Sequence, residues 1–205
     1  AGTGAIDEGP TSDGSTPYRG VAPDAWLVGV KVLDGSGSGS FEEVMRGMEW
    51  TIDNKVKYNI RAASMSLGGP WLFDLTQEQE ERITQLANEM VAAGIALMIA
   101  AGNDGAYGTI GTPGAAKDVI TVGATDDSKD LAPYSSKGPT YEGQIKPNVA
   151  AIGSSVNSVL ANTGNGYDEF SGTSMATPMV AGMAALLLQA NPDLQPLMIR
   201  SILET

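Results

Sequence analysis

Apolar positions along this chain alternate between two rhythms. The run Trp26-Leu27-Val28-Gly29-Val30-Lys31-Val32-Leu33 is β-branched and of strand length, which predicts a strand buried on both faces. A Gly/Ser corner at residues 35–39 ends it. Ser40-Phe41-Glu42-Glu43 then forms a capping box, with Ser at the cap and Glu three positions on. The helix this opens is expected to run to about Asn54, with Val44, Met45, Met48 and Ile52 facing inward. A second strand over residues 60–66 runs into Gly68-Gly69, and Thr76-Gln77-Glu78-Gln79 repeats the capping pattern. Its helix carries Ile83, Leu86, Ala87, Met90 and Val91 at helical spacing and closes on Gly94. Residues 95–101 predict a third strand, ending in Gly102-Asn103-Asp104-Gly105, and residues 119–123 a fourth.

Strands alternating with helices at these lengths predict an α/β fold, a mostly parallel sheet covered by helices. Between residues 124 and 170 the pattern loosens into short strands and turns. A small-residue helix is expected from Ser174 to about Ala190, where Asn191-Pro192 breaks it, and Pro196 opens a short terminal helix over residues 196–204. With 205 residues, 42% hydrophobic, and neither internal repeat nor linker, the chain reads as a single domain.

Charge narrows the choice of partners. Lys and Arg number 12 against 24 Asp and Glu, a formal charge of -12, so no basic stripe exists to neutralise phosphates and nucleic acid is excluded as a partner. The chain has no cysteine, which removes disulfides and thiol chemistry without fixing a compartment. The most apolar run, residues 184–188, is far short of the roughly 18–20 continuous apolar residues of a membrane span, so no membrane is expected. The turn-rich loop over residues 7–20 carries Asp7, Glu8 and Asp13, oxygen ligands of the kind calcium takes, although a solvated acidic loop is the plainer reading. The chain opens on Ala1-Gly2-Thr3-Gly4 rather than on Met, and processing, truncation or an engineered boundary is the expectation there.

Candidate chemistry centres on Ser171-Gly172-Thr173-Ser174-Met175-Ala176-Thr177-Pro178. It reads as a sharp turn that delivers Ser174 to the start of a helix, where unpaired N–H groups and the helix dipole favour developing negative charge. An ordinary N-cap serine is the bland alternative. Asn103, at the mouth of the third strand, offers a side-chain amide donor, and pairing it with Ser174 suggests a nucleophile beside an oxyanion hole. The difficulty is the base, because the chain contains no histidine.

Gly172-Thr173-Ser174-Met175-Ala176-Thr177-Pro178, Ala100-Ala101-Gly102-Asn103 and Ser66-Leu67-Gly68-Gly69 together resemble the subtilisin-like serine proteases, the subtilases. Gly20-Val21-Ala22-Pro23, Glu49-Trp50, Val122-Gly123-Ala124 and residues 200–204 fit the same family in the same order, so the resemblance covers essentially the whole chain. It implies a three-layer subtilisin-like fold, here incomplete, and a secreted endopeptidase that uses no cofactor for catalysis. Ser174 would be the nucleophile, with Asn103 and the Ser174 backbone N–H as the oxyanion hole. Gly37-Ser38-Gly39 and Ser66-Leu67-Gly68 would be two strands that grip an extended peptide substrate by β-augmentation. Gly102 would begin a pocket wall that continues to Pro113, and the Thr112-Pro113 peptide is expected to be cis.

In subtilases the triad runs Asp, His, Ser along the chain. Ala1-Gly2-Thr3 is similar to the tail of the family's histidine motif, which would place the catalytic histidine two residues before Ala1 and the aspartate earlier still. The aspartate strand would lie between residues 27–33 and 60–66, leaving exposed strand edges for an amino-terminal part or a second copy to pair with. Met179 and Asn148 stand where the family usually has histidine and aspartate. Glu49 and Asp53 have the Glu-x-x-x-Asp spacing of the related sedolisins, but their place matches a surface helix, and Lys31 lies in a strand far from the serine motif. Two functions follow: the carboxyl-terminal part of a serine endopeptidase, inactive by itself, or a non-catalytic peptide-binding pseudo-protease.

Overall fold

The structure, a computed structural model, describes residues 19–69, 76–161, 163 and 166–205. Its centre is a four-stranded parallel sheet ordered β1-β2-β3-β4, formed by β1 (Ala62–Met65), β2 (Ala96–Ala100), β3 (Ile120–Thr125) and β4 (Val149–Ile152). Ala62 pairs with Ala96, Met98 with Ile120, and Val122 with Val149. A short antiparallel hairpin, β5 (Val156–Val159) with β6 (Tyr167–Phe170), stands apart from it.

Alternation along β2 assigns the two faces. Leu97 and Ile99 point into a core with Val44 and Met48 of α1 (Phe41–Tyr58) and Ile83, Leu86, Ala87, Met90 and Val91 of α2 (Gln77–Ala92). Ala96 and Met98 point the other way, onto Ala176, Val180 and Ala184 of α3 (Thr173–Ala190) and Ile199 of α4 (Pro196–Leu203). Helices therefore cover both faces of a sheet whose central strands are apolar on each, the three-layer α/β arrangement.

Both capping boxes form. Ser40 Oγ accepts from Glu43 N–H at 3.2 Å while Glu43 Oε2 accepts from Ser40 N–H at 2.9 Å, and Thr76 and Gln79 exchange the same pair of bonds. Helix α1 runs past Asn54 to Tyr58 and stops on Asn59 in the left-handed conformation. No Gly or Pro interrupts residues 54–58, Lys55 and Lys57 favour the negative end of the helix dipole, and Trp50 stacks on Tyr58 at 5.7 Å. The Thr112–Pro113 peptide is cis.

The strand expected at residues 26–33 is not one. The segment joins no ladder among the described residues, and instead of being buried on both faces it leaves Trp26 99% and Leu27 74% exposed. Val30 and Val32 still lie against α1 at Gly47, where a Cβ would stand 2.4 Å from Val32 Cγ1. The β-branched composition fits a sheet position, but a strand exists only where a neighbour satisfies its backbone, and β1 is the edge of the described sheet.

Helix α3 is apolar along most of its length. It is 18 residues long with mean hydropathy 1.3, which meets the length and hydropathy of a membrane span. Ala, Gly and Met interspersed with Leu supply this without a continuous apolar run. Its Ala176, Val180 and Ala184 are packed on the sheet, while its Met183 and Leu186 are exposed.

Candidate active site

Helix α3 begins at Thr173, so Ser174 is its second residue, among backbone N–H groups that have no acceptor within the helix. Ser174 is half-buried. Pro178 sits one turn further on and cannot donate to the Ser174 carbonyl, as a residue four positions along a helix otherwise would. Ser66 supplies the donor instead: its hydroxyl reaches the Ser174 carbonyl at 2.8 Å. In return the Ser174 hydroxyl points at the Ser66 carbonyl, 3.4 Å away. These two bonds tie the turn bearing Ser174 to the end of β1.

Asn103 is held from the same helix start. Its Oδ1 accepts from the Thr173 N–H at 2.9 Å and from the Thr173 hydroxyl at 3.1 Å. With the amide oxygen committed, the NH2 end is what Asn103 offers to a ligand, the orientation an oxyanion donor requires. The loop behind it is braced by the segment at Ser135–Ser136–Lys137. Ser136 N–H donates to Gly102 O at 3.0 Å, Asp104 N–H to Ser136 Oγ at 3.2 Å, and Lys137 Nζ to Gly105 O at 2.8 Å. Gly102 is required here twice, by its φ of +108° and because a Cβ would stand 2.8 Å from Ser136 Oγ.

A cleft of roughly 290 Å³ runs between these parts, lined by residues 66–69, Ala100, residues 102–104, Gly111, Thr173 and Ser174. Its two walls meet where Gly69 N–H donates to Thr112 O at 3.1 Å, and the buried Thr112 hydroxyl donates to Glu80 Oε1 of α2 at 3.0 Å. Of the residues expected to form the site, the fold brings Ser66, Leu67, Gly68, Gly102, Asn103 and Ser174 into this one cleft.

Gly37, Ser38 and Gly39 are not in its lining. They belong to a turn built on Asp34, whose Oδ1 accepts from Ser36 and Ser38 N–H at 2.8 and 3.1 Å. Hydrogen bonds from the Ser36 hydroxyl first, then the Ser38 and Ser36 N–H groups, hold the Asp34 carboxyl below its usual range. Gly39 lies against Leu33.

Sequence reasoning passed over Thr173 and Ser136, the residues that orient Asn103 and its loop. Thr173 carried a signal, being a hydroxyl adjacent to the candidate nucleophile. Ser136, 33 positions from Asn103 in the chain, carried none.

Among the described residues no basic side chain is bonded to Ser174. Among the lining residues Asp104 is the one ionisable side chain other than the hydroxyls, and no hydrogen bond joins it to Ser174. Glu49 of α1 pairs with Arg82 of α2 at 3.2 Å, Asp53 is exposed on α1, and Lys31 donates to the carbonyl of Leu33, two residues on. Among the described residues no group of three or more Asp and Glu is placed to hold a metal ion. The loop bearing Asp7, Glu8 and Asp13 lies outside the described residues, as does the run at Ala1.

One cleft thus holds a hydroxyl at a helix N-terminus and an amide anchored on the same first turn. The family model described as the subtilase family matches residues 2–205. Serine protease AprX of Bacillus subtilis is 41% identical over 93% of this chain, and subtilisin DY of Bacillus licheniformis 38% identical over 94%. Among solved structures, sphericase superposes with a TM-score of 0.80 at 35% identity, and a cold-adapted subtilisin-like serine proteinase with 0.76 at 34%. The chain belongs to the subtilase family. It covers 48% of AprX and 65% of subtilisin DY, and 63% and 61% of the two solved chains. It thus spans about half to two thirds of the length of the relatives it matches.

Proposed function

We propose that these 205 residues are the nucleophile-bearing part of a secreted subtilisin-like serine endopeptidase that cleaves extended peptide or protein substrates. The observation that carries this reading is the shared anchoring of Ser174 and Asn103 on the first turn of α3. Ser174 Oγ attacks the scissile carbonyl carbon and gives its proton to a base. The resulting oxyanion is held by Asn103 Nδ2 and the Ser174 N–H. The departing amine takes that proton, and water releases the acyl group from Ser174. A peptide is aligned along residues 66–68 by backbone pairing, with Gly37–Gly39 as the opposite rail once substrate and the rest of the enzyme are in place.

The base and the group that orients it would come from polypeptide outside this chain, since the sequence has no histidine and, among the described residues, no carboxylate is bonded to Ser174. Among the described residues β1 is an edge strand and residues 26–33 join no ladder, which supports pairing there with an amino-terminal part of the same protein or with a second copy. A triad enzyme stripped of its base retains on the order of 10³- to 10⁴-fold rate enhancement over water, a figure that comes from subtilisin, a relative. The isolated chain is accordingly proposed to lack useful protease activity. The test is to express the natural coding sequence upstream of Ala1 together with this chain and assay peptide hydrolysis. Activity abolished by Ser174→Ala supports the reading. An upstream sequence without Asp and His motifs, or activity indifferent to Ser174, sinks it in favour of a peptide-binding pseudo-protease.

A further inference from the structure

Lys146 lies far from the cleft, and its side chain is the most deeply placed cation among the described residues, 4% exposed. Its Nζ donates to Val119 O at 2.9 Å and to Asn148 Oδ1 at 2.8 Å. A neutral amine has two N–H donors and both are used; an ammonium carries a third, for which the described residues provide no partner. Asn148 passes the connection on. Its Oδ1 also accepts from Thr121 N–H at 2.8 Å, and its Nδ2 donates to Glu204 Oε1 at 2.6 Å. Glu204 in turn receives Arg200 Nε at 2.8 Å, and Arg200 donates to Lys117 O at 2.8 Å. One chain of bonds thus fastens α4 across the starts of β3 and β4, with Lys146 at its buried end.

We propose that Lys146 is a proton-controlled latch for α4: neutral, it completes the network that holds the helix down, and taking up a proton favours the helix's release. Burial, followed by the nearby Arg200 guanidinium, pulls the Lys146 pKa down to about 7, against the opposing pull of Glu204 and Asp118. The charged groups that act on it are Arg200 and Glu204 from α4 and Asp118 from the loop before β3. Lys137 and Glu142 lie on the loop whose Gly138 N–H meets the Lys146 carbonyl, but Lys137 is committed to Gly105 O and Glu142 to Gln144.

The sign follows from where the proton sits. Between about pH 7 and the ordinary lysine value of 10.5, the closed form holds a neutral amine and the opened form an ammonium. Opening therefore takes up a proton in that window, and its equilibrium constant falls by up to about tenfold per pH unit as pH rises. Below pH 7 both forms are charged and the dependence vanishes.

The experiment is hydrogen exchange at the amides of residues 198–203 of the full chain at pH 7 and 8.5, corrected for the intrinsic rate, alongside the ¹⁵Nζ and ¹³Cε titration of Lys146. We expect α4 opening to fall by up to about fifteenfold across that interval, because the closed form is already half protonated at pH 7, the Lys146 resonances to titrate near neutrality, and Lys146→Met to abolish the pH dependence. Should Lys146→Met fail to fold, the resonance titration and the wild-type exchange decide. A Lys146 midpoint near 10.5, or α4 opening that does not change between the two pH values, overturns the proposal.

Discussion

The Ser66 hydroxyl donates to the Ser174 carbonyl at 2.8 Å, filling the position that Pro178 leaves empty in the first turns of α3. The proline and the serine are 112 positions apart in sequence. The loss of one helix hydrogen bond is thereby turned into a tie between the nucleophile's turn and the strand end that lines the cleft. Ser66→Ala is expected to destabilise the chain by about 1 kcal/mol, as for a typical hydrogen bond. The cost should be smaller in a Pro178→Ala background, where residue 178 regains its N–H. Urea denaturation of the two single variants and the double variant measures the coupling. Additive costs would show that Ser66 and Pro178 act independently.

Asn103 depends on Thr173 as Ser174 depends on Ser66. Thr173→Val removes the hydroxyl donor at 3.1 Å but leaves the backbone donor at 2.9 Å, so Asn103 is loosened and not released. Stability should fall by about 1 kcal/mol. In the assembled protease Asn103→Leu should lower kcat by about 10²- to 10³-fold with little change in KM, a magnitude taken from an oxyanion-hole asparagine in a subtilisin, a relative. A change confined to KM would remove Asn103 from the oxyanion hole.

Gly102→Ala tests the loop that presents Asn103. Its Cβ would meet Ser136 Oγ at 2.8 Å in a backbone conformation with φ of +108°. Both effects act in the same direction, and a loss of about 1–3 kcal/mol is expected by thermal or urea denaturation. The control is Ser36→Ala, on an exposed turn away from the cleft. Equal losses for the two would mean that the brace at Ser136 is not what holds this loop.

Glu204 gives a pH prediction on the acid side. Burial alone would raise its pKa, but hydrogen bonds from Arg200 and Asn148 and the charges of Arg200 and Lys146 outweigh it, and the net shift is downward. A depressed carboxylate stabilises the fold above its unfolded value of 4.5 and loses that contribution as pH falls through its folded value. Because the carboxylate is 35% exposed, the effect should be about 1 kcal/mol or less. Glu204→Gln should flatten the stability profile below pH 4.5 relative to wild type, as measured by urea midpoints. Parallel profiles would contradict the placement of Glu204 in the α4 network.

The unpaired apolar surface predicts association. Among the described residues Trp26 and Leu27 are 99% and 74% exposed, and β1 is the edge of the sheet. Light scattering at rising concentration should show self-association of the chain, reduced in a Trp26→Lys, Leu27→Lys variant. A monomer at every concentration would count against pairing at this edge between copies.

Local chemistry was legible in the sequence wherever neighbours in the chain decide it. Ser40 with Glu43 and Thr76 with Gln79 formed the caps their spacing announces, and the apolar periodicity of α2 named its buried face residue by residue. Ser174, Asn103 and Ser66 were likewise visible in their motifs. What escaped depends on partners distant in sequence. Residues 26–33 have the composition of a central strand, yet whether they become one rests on a neighbour that composition cannot supply. The same holds for Ser136 behind Gly102, for Ser66 beneath Pro178, and for Lys146, whose burial arises only when α4 folds back over the start of β4.

The central claim is that Ser174 is a nucleophile whose base lies outside these residues. The direct measurement is intact-mass analysis of the 205-residue chain after incubation with a fluorophosphonate probe, with Ser174→Ala as control. Negligible labelling, indistinguishable between the two proteins, is the predicted result. Rapid stoichiometric labelling that disappears in Ser174→Ala would contradict it and show that a base is already present within the chain.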